Sequence, residues 1–305
     1  MSSSKRSAVA AMRGALGAPG MLEAVAAHDA ISAKIAEAAG FDAILIGGGL
    51  TANFQFGLPD IGVITIPELV AAGDRVARAT TLPVLIDIDN GGPSLAHVAR
   101  AVHLAERSEV AGVMIEDVDS TQTKLIRLRS TGGWDFSANH LYPEDVAVER
   151  VRTVVGERES AGDLLVIART DAMHVGAEAG ASAALERARR FIEVGADLVL
   201  IAGATPTLLT SEVVASLGGP LMYAQAEHLP LEERRLLEDA GCKVLFHWLV
   251  PFVAVFSAYR DALDGIRNCT MTPYADRPWD LNSEFLEMLG ADRWAELGAG
   301  LTETA

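Results

Sequence analysis

Two aspartates two positions apart, in Asp87-Ile88-Asp89-Asn90-Gly91-Gly92, follow one short apolar run, and Glu116-Asp117 follows the next. Side chains alternate along a strand, so Asp87 and Asp89 face the same side. Carboxylates gathered in one place repel unless a cation lies among them. An all-oxygen set without Cys or His suits a hard divalent ion, above all Mg²⁺ held partly through waters, with Mn²⁺ as the alternative. The candidates are three or four carboxylates, from Asp87, Asp89, Glu116 and Asp117. A later run ends in Arg169-Thr170-Asp171, which would set a guanidinium opposite that ion, where its planar fork suits a substrate carboxylate. Gly47-Gly48-Gly49 offers backbone N–H groups that an anionic oxygen can approach closely. Asp60, in Gly57-Leu58-Pro59-Asp60, is either a turn former or a pocket acid. Glu227 and His228 lie beyond another run, within reach of the same pocket. His247 reads equally well as a hydrogen-bonded core residue. Against all of these stands a plainer reading, in which acids at strand ends are solvated or cap the following helices. Four charged groups at consecutive strand ends argue against it, because together they need mutual compensation.

These residues share one position in a repeating pattern. From Met21 to Arg267 the chain alternates apolar runs of four to six residues with amphipathic helical stretches. The runs are Leu22–Ala27, Ala43–Ile46, Pro83–Ile88, Gly112–Ile115, Leu164–Ala168, Leu198–Ile201, Leu221–Ala224 and Val244–Phe246. Their nearly unbroken apolar character is that of strands covered on both faces. The helix-to-strand turn recurs as Ala39-Gly40-Phe41-Asp42, Val194-Gly195-Ala196-Asp197 and Ala240-Gly241-Cys242-Lys243. Eight such strands without hairpin signals, and without GxGxxG after the first, predict a (β/α)₈ TIM-type barrel with its chemistry at the carboxyl ends of the strands. The expected layout is one domain over residues 1–305, with a barrel core at 21–267. A loop at 118–142 is long enough to be a lid, and a helical tail at 268–305 includes an amphipathic helix around Ser283–Leu297. The lid carries Lys124, Arg127, Arg129 and His140. The tail's Phe285, Leu286, Leu289, Trp294 and Leu297 predict a subunit partner.

Composition narrows the partners. The 305 residues carry 25 Lys plus Arg against 41 Asp plus Glu, a net charge of −16 that repels nucleic acid. Half of the residues are hydrophobic, enough for a substantial core and too many for disorder. Two cysteines make no disulfide framework, and Arg13 interrupts the only apolar stretch near the amino end that resembles a leader; a reducing, cytoplasmic setting is expected. No stretch reads as a membrane span.

In order and spacing, Ala27-His28-Asp29-Ala30, Ala38-Ala39-Gly40-Phe41-Asp42-Ala43, Gly57-Leu58-Pro59-Asp60, Asp87-Ile88-Asp89-Asn90-Gly91, Ile115-Glu116-Asp117 and Ile167-Ala168-Arg169-Thr170-Asp171 resemble the isocitrate lyase and phosphoenolpyruvate mutase superfamily. The resemblance implies a barrel whose eighth helix is swapped between subunits, a dimer-of-dimers homotetramer, and Mg²⁺ on Asp87, Asp89 and Glu116. It implies small anionic 2-oxo or 2-hydroxy acid substrates whose C–C or P–C bonds break or form through an enolate. Arg169 with the backbone of Gly48, Gly49 and Leu50, beside Asp87, would then hold the substrate, and Asp60 would sit near the reacting group, with Glu227 and His228 as further catalytic candidates.

Departures from the superfamily pattern direct the choice of reaction. Its lyases carry a Lys-Arg-Cys-Gly-His type motif after the fourth strand, yet residues 118–142 contain no Cys. Its mutases and phosphonopyruvate hydrolases read Glu-Asp-Lys where this chain reads Glu116-Asp117-Val118. The lyases' Glu on the sixth strand is Ala202 here, which together with Gly48-Gly49 and Ile64-Thr65-Ile66 is similar to the oxaloacetate decarboxylase branch. Gly92-Pro93 breaks that branch's usual continuation. The expectation is therefore a Mg²⁺-dependent lyase of a small dicarboxylate, best matched by oxaloacetate-type decarboxylation. P–C bond chemistry and a catalytically silent anion-binding relative are the alternatives.

Overall fold

A computed structural model describes residues 3–119, 127–128, 134–135, 139–161, 164–173, 175, 180–270 and 277–299. The apolar runs form eight parallel strands: β1 Leu22–Ala26, β2 Ala43–Ile46, β3 Val84–Asp87, β4 Gly112–Glu116, β5 Leu165–Thr170, β6 Leu198–Ile201, β7 Leu221–Gln225 and β8 Val244–His247. Hydrogen-bonded in the order β1-β8-β7-β6-β5-β4-β3-β2, they close into the expected barrel.

Alternation along each strand divides the apolar residues between two cores. Leu45, Leu85, Met114, Ile167, Leu200 and Met222 fill the interior. Their neighbours Ile44, Ile86, Val113, Val166, Val199 and Leu221 face the surrounding helices. Those helices are α2 Ala30–Ala38, α3 Ile66–Ala77, α4 Leu95–Glu106, α5 Glu144–Ala161, α6 Ala181–Glu193, α7 Ser211–Ser216 and α8 Leu231–Ala240. Helix starts are set by local chemistry. Asp29 and Ser32 form a capping box at α2, and Thr65 and Glu68 form another at α3. An additional helix, α1 Ser3–Gly17, precedes β1, in a segment for which the sequence predicts no element. Its Val9, Met12 and Leu16, spaced at helical period, pack into the interior cluster at the strands' amino ends. The buried Lys5 ammonium donates to the carbonyls of Ala105, Glu106 and Ser108.

By its contacts the chain divides into two compact units, residues 1–251 and 252–305, and all eight strands belong to the first. The second contains most of α9 Val250–Asn268, then α10 Pro278–Met288 and α11 Ala291–Ala299. The single helix expected around Ser283–Leu297 is thus two. Gly290, at φ +70°, turns the chain between them in a conformation that disfavours side chains. Among the described residues no helix is long and apolar enough to cross a membrane.

Candidate active site

The inward alternation that buries Leu85 and Met114 continues to Asp87 and Glu116 at the carboxyl ends of β3 and β4, and Asp89, in the turn two residues past β3, joins them at the barrel mouth. One carboxylate oxygen from each lies within 4.8 Å of the others. Asp87 and Glu116 are buried and Asp89 is half-buried. The backbone is shaped for this convergence. Asp89 adopts φ +49°, its N–H donates to Asp87 Oδ1 at 2.9 Å, and its carbonyl accepts the Glu116 N–H at 2.9 Å. A left-handed aspartate is uncommon, and here it ties the two strand ends together.

Arg169 stands beside this group on β5, in register with Glu116. Its Nε and Nη2 donate to the two oxygens of Asp171 at 2.8 and 2.7 Å, and Nη1 lies 3.5 Å from Glu116 Oε2. Burial alone would lower the guanidinium pKa, but the carboxylates of Asp171, Glu116 and Asp87 outweigh it and hold the pKa well above the ordinary value. The planar fork expected to grip a substrate is therefore occupied by Asp171, leaving Nη1 toward the cluster. One guanidinium among four carboxylates leaves an excess of acidic oxygen. Buried acids of this kind with hard, oxygen-only donors fit a divalent cation such as Mg²⁺.

The glycine-rich turn after β2 closes on the same place. Gly48–Thr51 forms one helical turn that continues as a π-helical turn over Ala52–Phe56 and ends at Gly57, φ +65°. A Cβ on Gly49 would lie 2.6 Å from Asp60 Oδ2, and one on Gly48 would lie 3.4 Å from Asp89 Oδ1. Asp60 thus fills the space beside the bare Cα of Gly49, and Asp89 lies in contact range of Gly48. Leu50, Ala224 and Trp248 are each partly buried against the interior cluster. Glu227 and His228 are exposed in the loop after β7; among the described residues neither shares a side-chain hydrogen bond or ion pair with the cluster. His247 faces outward, 3.4 Å from Glu23 and edge-on to Phe41.

Sequence reasoning missed the layer beneath. Asp117 is buried, accepting from Thr170 Oγ1 at 2.7 Å, the Asp171 N–H at 3.0 Å and Arg187 Nη1 at 3.1 Å. Burial first, and the Asp171 carboxylate second, push its pKa up to about 6 against these hydrogen bonds and the Arg187 charge. Asp117 was visible as the partner of Glu116 in the motif, but Arg187 on α6 gave no sequence signal. Arg187 Nη2 also donates to the carbonyl of Tyr142, whose N–H reaches the Asp117 carbonyl. On the other side Asn90 Nδ2 donates to Val118 O at 3.1 Å, while Arg150 reaches the carbonyls of Asn90 and Gly92 and lies over the Tyr142 ring. The base of the long loop is thereby fixed, with a bridge between Val118 and Leu141 and a short ladder of Arg127–Leu128 on Trp134–Asp135. Of the cations expected on the lid, Lys124 and Arg129 lie outside the described residues, Arg127 sits in that ladder, and His140 is exposed.

Comparison with known proteins places this geometry. The family model for phosphoenolpyruvate phosphomutase matches residues 14–267. The chain is 29% identical over 273 residues to the probable 2-methylisocitrate lyase 2 of Corynebacterium glutamicum, covering 88% of this chain and 83% of that one. It is 28% identical over 235 residues to the oxaloacetate decarboxylase of Chromohalobacter salexigens, covering 77% of each. The crystal structure of a 2,3-dimethylmalate lyase superposes with a TM-score of 0.76 at 26% identity, over 96% of this chain and 99% of that one.

Proposed function

From the premise that the chain belongs to the phosphoenolpyruvate phosphomutase family, we propose that it is a Mg²⁺-dependent lyase that breaks a C–C bond of a small 2-oxo or 2-hydroxy dicarboxylate. Oxaloacetate-type decarboxylation is the first reaction to test. The observation that carries the reading is the convergence of Asp87, Asp89 and Glu116 within 4.8 Å beside Arg169. Relatives named as lyases and as an oxaloacetate decarboxylase support C–C rather than P–C chemistry, as does Val118 where the mutases carry a cationic Lys.

Asp87, Asp89 and Glu116 would hold the metal, which when bound supplies Lewis acidity toward the substrate's carboxylate and C2 oxygen. The protein's own groups do the rest. Arg169 stays protonated throughout, and its position is locked by Asp171, so its charge faces the mouth without reorganisation as negative charge builds on the C2 oxygen. The N–H groups of Gly48, Gly49 and Leu50 belong to a first helical turn and have no intrahelical acceptor, so they are available to the same oxygens. In a decarboxylation the electrons of the C3–C4 bond move to the C2 oxygen, CO₂ departs and C3 takes up a proton. Asp60, against Gly49, is assigned that proton's relay. The loop whose base is fixed by Tyr142 and Arg150 would keep water from the carbanion until then.

Asp89→Ala tests the assignment. It should abolish both turnover and the Mg²⁺-dependent rise in melting temperature while leaving the far-ultraviolet circular dichroism intact. An unchanged Mg²⁺ stabilisation would make the three carboxylates structural. Release of pyruvate and CO₂ from oxaloacetate supports the lyase reading. Pyruvate and phosphate from phosphonopyruvate would replace it with P–C chemistry, and Mg²⁺ binding without turnover would identify a silent relative.

A further inference from the structure

A cavity of about 370 Å³ opens beside the carboxylate cluster, between the loop that enters α3 and the first turns of α4. Its lining includes Asp89 and Glu116, two of the three metal-ligand candidates. Its walls are apolar, from Val63, Ile64, Ile66 and Pro67 on one side and Ala101 and Leu104 on the other. His97 and Arg100 add a cationic part to the same lining. The α4 residues 97, 100, 101 and 104 fall on one helix face, so a single helix supplies both the apolar wall and the cationic part.

Local structure keeps that part in place. Ser94 is the N-cap of α4, but its side chain makes no capping bond; its Oγ lies 2.8 Å from His97 Nδ1 instead. Gly92, at φ +99°, passes so close to His97 that a Cβ there would lie 2.8 Å from the His97 Cβ. Arg100 is exposed and, among the described residues, has no hydrogen bond or ion pair, although acids outnumber bases in this chain by 41 to 25. A cavity of this volume is in the range that encloses a whole small ligand, larger than a four-carbon acid alone requires.

Resting on the lyase reading above, we propose that this cavity receives the far end of the substrate. The acid processed would carry, beyond the carbons that face the metal ligands, an apolar stem ending in a second carboxylate held by Arg100 and His97. One cavity thus brings together oxygen ligands for a cation, apolar walls and a guanidinium that has no partner among the described residues.

The test measures binding to the intact Mg²⁺-loaded protein by calorimetry, with three probes. Oxalate engages only the metal end. 2-Oxoadipate adds a three-methylene stem with a terminal carboxylate, and 2-oxohexanoate is a six-carbon 2-oxo acid lacking that carboxylate. The expected result is that 2-oxoadipate binds about tenfold more tightly than 2-oxohexanoate, the gain of a charge-assisted pair at a partly exposed site. Arg100→Leu should abolish that difference and leave oxalate binding within about twofold, which separates loss of the carboxylate contact from misfolding. Oxalate binding with no preference between the longer acids, or a preference that survives in Arg100→Leu, overturns the cavity assignment alone. Failure of oxalate to bind in the presence of Mg²⁺ overturns both it and the metal-dependent reading beneath it.

Discussion

Single atoms decide the barrel mouth. The space that a methyl group on Gly49 would occupy is filled by Asp60, whose Oδ2 would be 2.6 Å from it and whose Cγ would be 2.8 Å. Gly49→Ala must therefore displace Asp60 or the turn itself, whereas Gly48→Ala brings a methyl group only to 3.4 Å from Asp89 Oδ1, an ordinary contact. Gly49→Ala is expected to lower kcat by about tenfold or more through misplacement of Asp60, with the Mg²⁺-dependent melting shift retained. Gly48→Ala should stay within a few-fold of the parent. Steady-state kinetics on both variants, with a thermal melt at saturating Mg²⁺, check this; equal kinetics for the pair would remove Asp60 from the reaction. That Asp87 and Asp89 could share a side was legible from period-two alternation, whereas the choice of Glu116 rather than Asp117 as their companion rested on the superfamily resemblance. The fate of the Arg169 fork was not legible. Asp171 also follows at a two-residue spacing, but only the observed rotamers show that it takes both Nε and Nη2.

Where elements meet, one buried acid links four of them. Asp117 joins the end of β4 to Thr170 at the end of β5 and Asp171 just past it, to Arg187 on α6, and through the Tyr142 amide to the base of the long loop. Its folded pKa of about 6 exceeds the ordinary 3.8. The folded chain therefore holds this proton more tightly than the unfolded chain, and the associated stability is fully present below pH 4 and lost as pH rises to about 6. Two pKa units correspond to roughly 3 kcal/mol at most. Asp117→Asn cannot titrate, so urea unfolding between pH 4 and 7 should show the wild type losing that much more stability than the variant. Parallel curves would mean that Asp117 stays ionised throughout. Elements were more legible than this linkage between them. Strand positions agreed to within a residue or two because each is a short apolar run with polar ends. Arg187 and Asp117 are 70 residues apart, and no periodicity relates a helix-face arginine to a strand-end acid. The amino-terminal helix carried its signal in Val9, Met12 and Leu16, yet what that stripe packs on, the floor of a closed barrel, exists only once the strands have assembled.

Across the whole molecule, charge and apolar surface oppose each other. A net charge of −16 drives copies of the chain apart, while the second unit leaves Trp279 79%, Ile266 71% and Trp294 69% exposed, with Phe256 and Tyr259 also largely open. A tryptophan buries about 150–250 Å² when covered, at about 25 cal/mol per Å², so a few such side chains outweigh the repulsion between like-charged subunits. The superfamily resemblance suggests the cover, a second copy of the same helices in a dimer of dimers. Light scattering should then give a mass near four times the 32.2 kDa chain. Because the opposing force is electrostatic and screened within about 8 Å at physiological salt, the assembly should tighten as salt is raised. Trp279→Glu adds a charge where apolar area is needed and should move the mass toward smaller species at micromolar concentration, with barrel circular dichroism unchanged. A monomeric wild type would overturn the assembly itself, and an assembly that loosens with salt would show that ion pairs rather than the tail's aromatic face join the subunits.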